Sequence, residues 1–367
     1  MQTKQSSERI YNFSSGPAVL PPEVLEQAQR EMLSLGGSGM SVMEISHRSK
    51  HFEVILEAAR GGIRELLNVP ENYEILFLQG GGRLQFSMIP LNFLPPDKSA
   101  DYIITGAWGK YAAKEARRCG GVNVVFDSEE TGFKTVPAQG EIRFSPSAEY
   151  VHYTSNETIE GVEFKYDLDG GKFPVVCDAS SNILSKEIDV SKYALLYAGA
   201  QKNIGPSGVT LAIIRDDLLE KVPENQHAML DYRAIARNGS MLNTPNTWGI
   251  YIISLVCRWL KAKGGVAGIR KTNEAKAKIL YDALDASDGF YQAHAARAAR
   301  SLMNVTYRLP SPALDEKFCA EAAAQGLDGL KGHRSVGGVR ASIYNAFPIE
   351  GVEKLVEFMR DFQRQNG

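Results

Sequence analysis

Short, uninterrupted apolar runs alternate with amphipathic helical stretches over the first two-thirds of the sequence, and this alternation restricts the fold more than any other feature. Residues 73–78, 101–105, 122–126, 150–154, 174–177, 195–197 and 209–214 are rich in β-branched or aromatic residues and are bounded by turn formers, which predicts strands. Strands that are apolar on both faces need a layer on each side. An α/β fold with a mostly parallel seven-stranded sheet is therefore expected. Pro21-Pro22 opens a helix expected to carry Val24, Leu25, Ala28, Met32 and Leu35 and to end at Gly36-Gly37. A second helix is expected over about 52–67, with Ile55, Leu56, Ala59, Ile63 and Leu66 on one face.

After Thr247 the pattern changes. Two long helical segments, about 248–263 and 266–284, precede an apolar stretch at 302–309, a helix near 314–325, a strand near 339–343 and a final helix from Glu350. This predicts a smaller C-terminal α+β domain. The chain has 367 residues, enough for about two domains at ~150 residues each. The expected division is a large domain over 16–264 and a small one over 265–367, hinged at Gly264-Gly265, with segment 1–15 packing near the small one.

Composition excludes several classes. Lys+Arg 41 against Asp+Glu 43 leaves a net charge of −2, too balanced for non-specific nucleic-acid binding. The apolar run at 251–257 is stopped by Arg258, far short of the ~18 residues of a membrane span. Residues 1–9 are polar, so no secretory leader is expected. Cys119, Cys177, Cys257 and Cys319 are dispersed without metal-site spacing. A reducing, cytoplasmic setting and no bound metal are expected.

Three signals carry chemistry. Gly80-Gly81-Gly82 lies between a strand and a helix, where backbone N–H groups and the helix dipole can receive an anion. A plain tight turn fits the same residues. Asp178 ends an apolar strand, where α/β proteins bind ligands, although a capping Asp is the other reading. Lys202 sits among small and apolar residues beside a Gly-Pro turn. Enclosure there lowers an amine's pKa and makes it nucleophilic. A phosphate cradle, a strand-end acid and an enclosed lysine, in that order, match what pyridoxal phosphate requires.

Further stretches carry a resemblance. These are Asn12-Phe13-Ser14-Ser15-Gly16-Pro17-Ala18, Ile45-Ser46-His47-Arg48-Ser49, the run from Tyr150 to Gly161, Gln201 to Gly208 and Gly332 to Arg340. Together they resemble the phosphoserine aminotransferase family of class V pyridoxal-phosphate enzymes, over nearly the whole chain. The resemblance implies the type I transferase fold and a homodimer with shared active sites. It implies Lys202 as the lysine of the cofactor Schiff base and Asp178 as the partner of the ring nitrogen. It assigns Trp108 to the ring face, Thr158 to the phenolic oxygen, and Gly82, Arg83, Ser180 and Gln201 to the phosphate. Asn243 and Thr244 would reach that phosphate from the other subunit. Arg340 would take the substrate α-carboxylate, and His47, Arg48, His333 and Arg334 would frame its phosphate. Leu84 departs from the pattern, because the family commonly has a small residue there.

The implied reaction exchanges an amino group between 3-phosphohydroxypyruvate plus glutamate and O-phosphoserine plus 2-oxoglutarate, in serine biosynthesis. The family also handles a phosphorylated hydroxythreonine on the route to vitamin B6. Two other readings stand beside it: a cysteine desulfurase, which needs a mobile nucleophilic cysteine, and a non-catalytic ligand-binding protein of the same fold.

Overall fold

The computed structural model describes residues 9–367. The reading of residues 1–8 as a polar, leaderless start therefore lies outside the described residues. All seven expected strands form one sheet: β2 (Tyr73–Gln79), β3 (Ser99–Ile104), β4 (Gly121–Asp127), β5 (Ala148–Thr154), β8 (Val175–Asp178), β9 (Leu195–Gly199) and β10 (Val209–Arg215). Their spatial order is β2-β10-β9-β8-β5-β3-β4. Only β10 runs against its neighbours β2 and β9; the remaining pairs are parallel. Short strands β1 (Tyr11–Asn12), β6 (Asn156–Glu157) and β7 (Val162–Glu163) lie outside it.

The side-chain alternation of strands explains the layers. Ile75, Phe77, Val151, Tyr153, Leu196 and Ile213 point to one face. There they meet α2 (Lys50–Leu67) and α7 (Thr247–Ala262). Residues one step out of phase, among them Leu76, Tyr102, Tyr150, Val176 and Tyr197, point to the other face. There they meet α3 (Gly82–Phe93) and α4 (Ala107–Ala116). The small helices α5 (Asp216–Leu219) and α6 (Tyr232–Arg237) complete that side.

A separate core gathers α8 (Gly265–Asp285), α9 (Pro312–Ala324) and α10 (Ile349–Asn366). They pack on the three-stranded sheet β11 (Gln292–Ala293), β12 (Asn304–Arg308) and β14 (Val339–Ser342). Helix α8 serves both cores: Val266 and Ile269 belong to the first, and Ala277, Leu280 and Leu284 to the second. The start of the chain joins this region. Strand β1 pairs in parallel with β13 (Leu327–Asp328), and Phe13 is fully buried in the second core.

The first helix is shorter than its spacing predicts. Helix α1 covers Pro22–Arg30, and the N–H groups of Glu31 and Met32 turn back onto the carbonyls of Gln27 and Gln29. Val24 and Ala28 are buried as expected, but Leu25 is 38% exposed, and Met32 and Leu35 fall outside the helix. Ser34 is extended and Leu35 begins a separate 3₁₀ turn, so the apolar periodicity outlasted the backbone that could use it.

Candidate active site

The C-terminal ends of β5, β8 and β9 converge on a cavity of about 150 Å³, as expected for ligand sites in open α/β sheets. Gly82, Arg83, Trp108, Thr158, Asp178, Ser180, Gln201 and Lys202 all line it. A larger cavity of about 530 Å³ lies between residues 9–12 and the start of α10, apart from these groups.

Each wall has a local cause. Strand β2 ends at Gln79, and Gly81 is the N-cap of α3, so the helix opens toward the cavity. A Cβ on Gly82 would come within 2.9 Å of Ser180 Oγ, so only glycine keeps this cradle open. Trp108 lies in the first turn of α4, immediately after β3, and its indole Nε1–H is buried without a partner. The Arg83 guanidinium stands 5.0 Å from the Tyr111 ring and 5.9 Å from the Trp108 ring. Thr158 sits on the tight connection between β6 and β7.

The amine of Lys202 lies in the depth of the pocket. It donates to Thr158 Oγ1 at 2.6 Å and stands 5.7 Å from the Trp108 ring centroid. Burial pulls its pKa down to about 8, against the opposing pull of the Asp178 and Glu157 carboxylates. Asp178 is 5% exposed and accepts from the Ser180 N–H at 2.9 Å. Burial pushes its carboxyl up, and the charge of Lys202 only partly offsets this. The acid therefore lies where a second cationic partner would stabilise its ionised form.

At the rim, Arg340 Nη2 donates to Ser15 Oγ at 2.7 Å, and the neighbouring Gly16 lies against the stem of Lys202. His333 and Arg340 line an adjoining crevice. Burial and the neighbouring charges of Arg340 and Arg334 lower the His333 pKa, so an anion entering there would find uncompensated positive charge. Arg334 is exposed. His47, Arg48, Asn243 and Thr244 do not line the pocket that holds Lys202 in the same chain. Their loops touch each other instead, through the Thr247 hydroxyl and the Val42 carbonyl at 3.4 Å.

The model of the family "Aminotransferase class-V" matches residues 10–355. The chain belongs to the class-V aminotransferases. Curated phosphoserine aminotransferases from Chromobacterium violaceum and Geobacillus kaustophilus are 54% and 51% identical to it, each over 98% of this chain and 99% of the relative. The solved phosphoserine aminotransferase of Bacillus circulans subsp. alkalophilus superposes with a TM-score of 0.97 at 47% identity, covering 98% of this chain and 100% of that one. A PLP-bound phosphoserine aminotransferase from Trichomonas vaginalis gives 0.91 at 41% identity, covering 96% and 100%. The expected type I transferase fold is thus the fold of this class-V chain.

Pyridoxal phosphate is the cofactor of this family, and the residues present fit it. The glycine cradle at Gly82, the orphaned indole N–H, the under-compensated Asp178 and the lowered lysine amine are features of one cavity. Two groups escaped the sequence reading. Sequence reasoning assigns no role to Ser15, which holds Arg340. Glu157 and Glu160 flank Thr158 and are likewise unassigned by sequence reasoning, since acids in a turn between Asn156 and Gly161 read as solvated. His152 is a third buried polar group behind the site. Its Nε2 lies 3.0 Å from the Tyr197 hydroxyl, and burial lowers its pKa to about 3, so the ring is neutral.

The desulfurase reading finds no nucleophile. No cysteine lines the cavity among the described residues. Cys319 is on α9, where burial pushes its thiol up to about 11. No helix among the described residues is long and apolar enough to cross a membrane.

Proposed function

We propose that this chain interconverts 3-phosphohydroxypyruvate plus glutamate with O-phosphoserine plus 2-oxoglutarate, as an enzyme of serine biosynthesis. The observation that carries this reading is the seat of the Lys202 amine, bonded to Thr158 and flanked by Trp108 and Asp178 in one pocket. The names of its relatives at about half identity supply the substrate class.

Pyridoxal phosphate, when bound, supplies an aldehyde for the lysine amine and a ring that takes up the electron pair left at the substrate Cα. The chain does the rest. Asp178 is the acid that would hold the proton of the ring nitrogen, and the Thr158 hydroxyl would meet the phenolic oxygen. Trp108 would cover one ring face. The Gly82 N–H, Arg83, Ser180 and Gln201 would hold the phosphate. Lys202 Nζ, with its lowered pKa, takes the proton from the substrate Cα as general base. Arg340 orients the substrate carboxylate with its planar fork, and His333 and Arg334 receive the substrate phosphate.

A homodimer completes the site in this reading. Loops 40–48 and 243–247 adjoin and leave Met40, Met43, Arg48 and Thr244 exposed, away from the chain's own Lys202. His47, Arg48, Asn243 and Thr244 would then serve the pocket of a second copy. The division into a large domain over 16–264 and a small one over 265–367, and a cytoplasmic setting, belong to the same proposal. Four free cysteines suit a reducing compartment.

The deciding experiment mixes the cofactor-loaded protein with phosphoserine and 2-oxoglutarate and follows glutamate, beside a Lys202→Ala control. Activity in the wild type and near-complete loss in the control are expected. No glutamate from the wild type would remove the substrate assignment, and undiminished activity in the control would remove the role of Lys202.

A further inference from the structure

Helix α4 begins on two buried carboxylates. The N–H groups of Trp108 and Gly109 donate to Glu157 Oε2 and Oε1 at 3.0 and 2.8 Å, and that of Ala107 donates to Glu160 Oε1 at 3.0 Å. Glu157 is 0% and Glu160 3% exposed. Gly106 is wedged between them: a Cβ there would stand 2.6 Å from Glu157 Cδ and from Glu160 Oε2. The second oxygen of Glu160 has no hydrogen-bond partner. Two carboxylates so close, in a dry site, cannot both stay ionised at modest cost.

The pair belongs to the site by position. Thr158, which receives the Lys202 hydrogen bond, lies between the two acids in sequence. Trp108, whose ring faces Lys202, hangs from the helix turn they hold.

We propose that Glu157 and Glu160 are positioning residues that share one proton and, through it, fix the Trp108 turn of α4 against the cofactor face. This rests on the reading of Trp108 as the residue covering the ring. The charged groups that face the pair are few. Asp178 of β8 acts on Glu157, and Arg340 of β14 acts on Glu160. Lys202 stands beside Glu157, while His294, Arg308 and His333 share the crevice that Glu160 lines. Burial and repulsion by Glu160 raise Glu157, and burial raises Glu160. Loss of the shared proton on raising the pH sets two charges against each other beneath Trp108.

The test uses the cofactor-free and cofactor-loaded full chain. The infrared spectrum of the cofactor-free wild type should show a protonated carboxyl at neutral pH that disappears on raising the pH and is absent from Glu160→Gln. Pyridoxal phosphate affinity, read by quenching of tryptophan fluorescence, should fall about tenfold in the wild type across that proton's loss, the change that one unit of pKa coupling produces. In Glu160→Gln, which keeps an oxygen for the Ala107 N–H, binding should persist and that step should vanish. A wild type with no protonated carboxyl at neutral pH, or a Glu160→Gln variant that keeps the same pH step, would overturn the proposal. The infrared measurement needs no substitution. It also stands if pyridoxal phosphate fails to bind, an outcome that would instead remove the functional reading above.

Discussion

Lys202 Nζ donates to Thr158 Oγ1 at 2.6 Å, across a separation of 44 residues. The bond joins the loop after β9 to the turn between β6 and β7, and so fixes where the amine points. Replacing Thr158 with Val removes an acceptor from a charged donor, worth about 1.5–3 kcal/mol. A fall in kcat of about ten- to hundred-fold is expected from steady-state assays, with Thr158→Ser largely restoring it.

The Lys202 amine titrates at about 8 rather than at its ordinary 10.5. Below that pH it is protonated and unreactive. Reductive methylation of the cofactor-free protein, followed by peptide mass spectrometry, should label Lys202 about tenfold faster per pH unit until the rate levels off near pH 8. Exposed lysines should keep accelerating beyond that point.

Ser15 bonds Arg340 through its hydroxyl, and Tyr344 reaches the Ser15 carbonyl at 2.8 Å. Ser15→Ala frees the guanidinium without deleting it. The substrate KM should rise by about five- to ten-fold, corresponding to about 1–1.4 kcal/mol, with little change in kcat. Arg340→Lys should be worse, because an ammonium cannot make the paired contacts of a planar fork.

Lys276 is fully buried and donates to the carbonyls of Ile343, Tyr344 and Phe347 at 3.0, 2.6 and 3.1 Å. Lys276→Met withdraws the donor from all three, at a cost of about 1–3 kcal/mol in urea unfolding. Burial lowers this amine from 10.5 to about 7. Between those values the unfolded chain holds a proton that the folded chain has released, so wild-type stability gains as pH rises. The stability gap between wild type and variant should therefore widen from about pH 7 toward pH 10.

Shared sites can be tested by mixing. On the proposed homodimer, the Lys202→Ala and Asn243→Asp proteins should each be nearly inactive alone. After co-refolding, half of the random dimers would be mixed, each with one intact site, so activity should return to roughly a quarter of wild type. No recovery would separate Asn243 from the neighbouring subunit's pocket.

Much of this was legible in the residues. The strands announced themselves because residues buried on both faces must be apolar throughout, and all seven appeared within two residues of expectation. Asp178, Lys202 and the Gly82 cradle stood out because a buried charge or a forced glycine breaks a local pattern. Ser15 did not, because its role depends on Arg340, far along the chain. Glu157 and Glu160 were hidden for the opposite reason: acids in a turn look solvated until the partner helix is seen to supply their N–H groups. Helix α1 shows the converse, with apolar spacing continuing to Leu35 after the backbone had left the helix.

The parallel pairing of Tyr11–Asn12 with Leu327–Asp328, and the bond from Ser15 to Arg340, tie the earliest described residues to some of the latest. During synthesis the seven-stranded sheet can assemble while this opening segment still lacks its docking surface. Substrate recognition would be the last property acquired on the ribosome, so a nascent chain stalled before residue 327 would hold a cofactor cradle with no anchor for an amino acid.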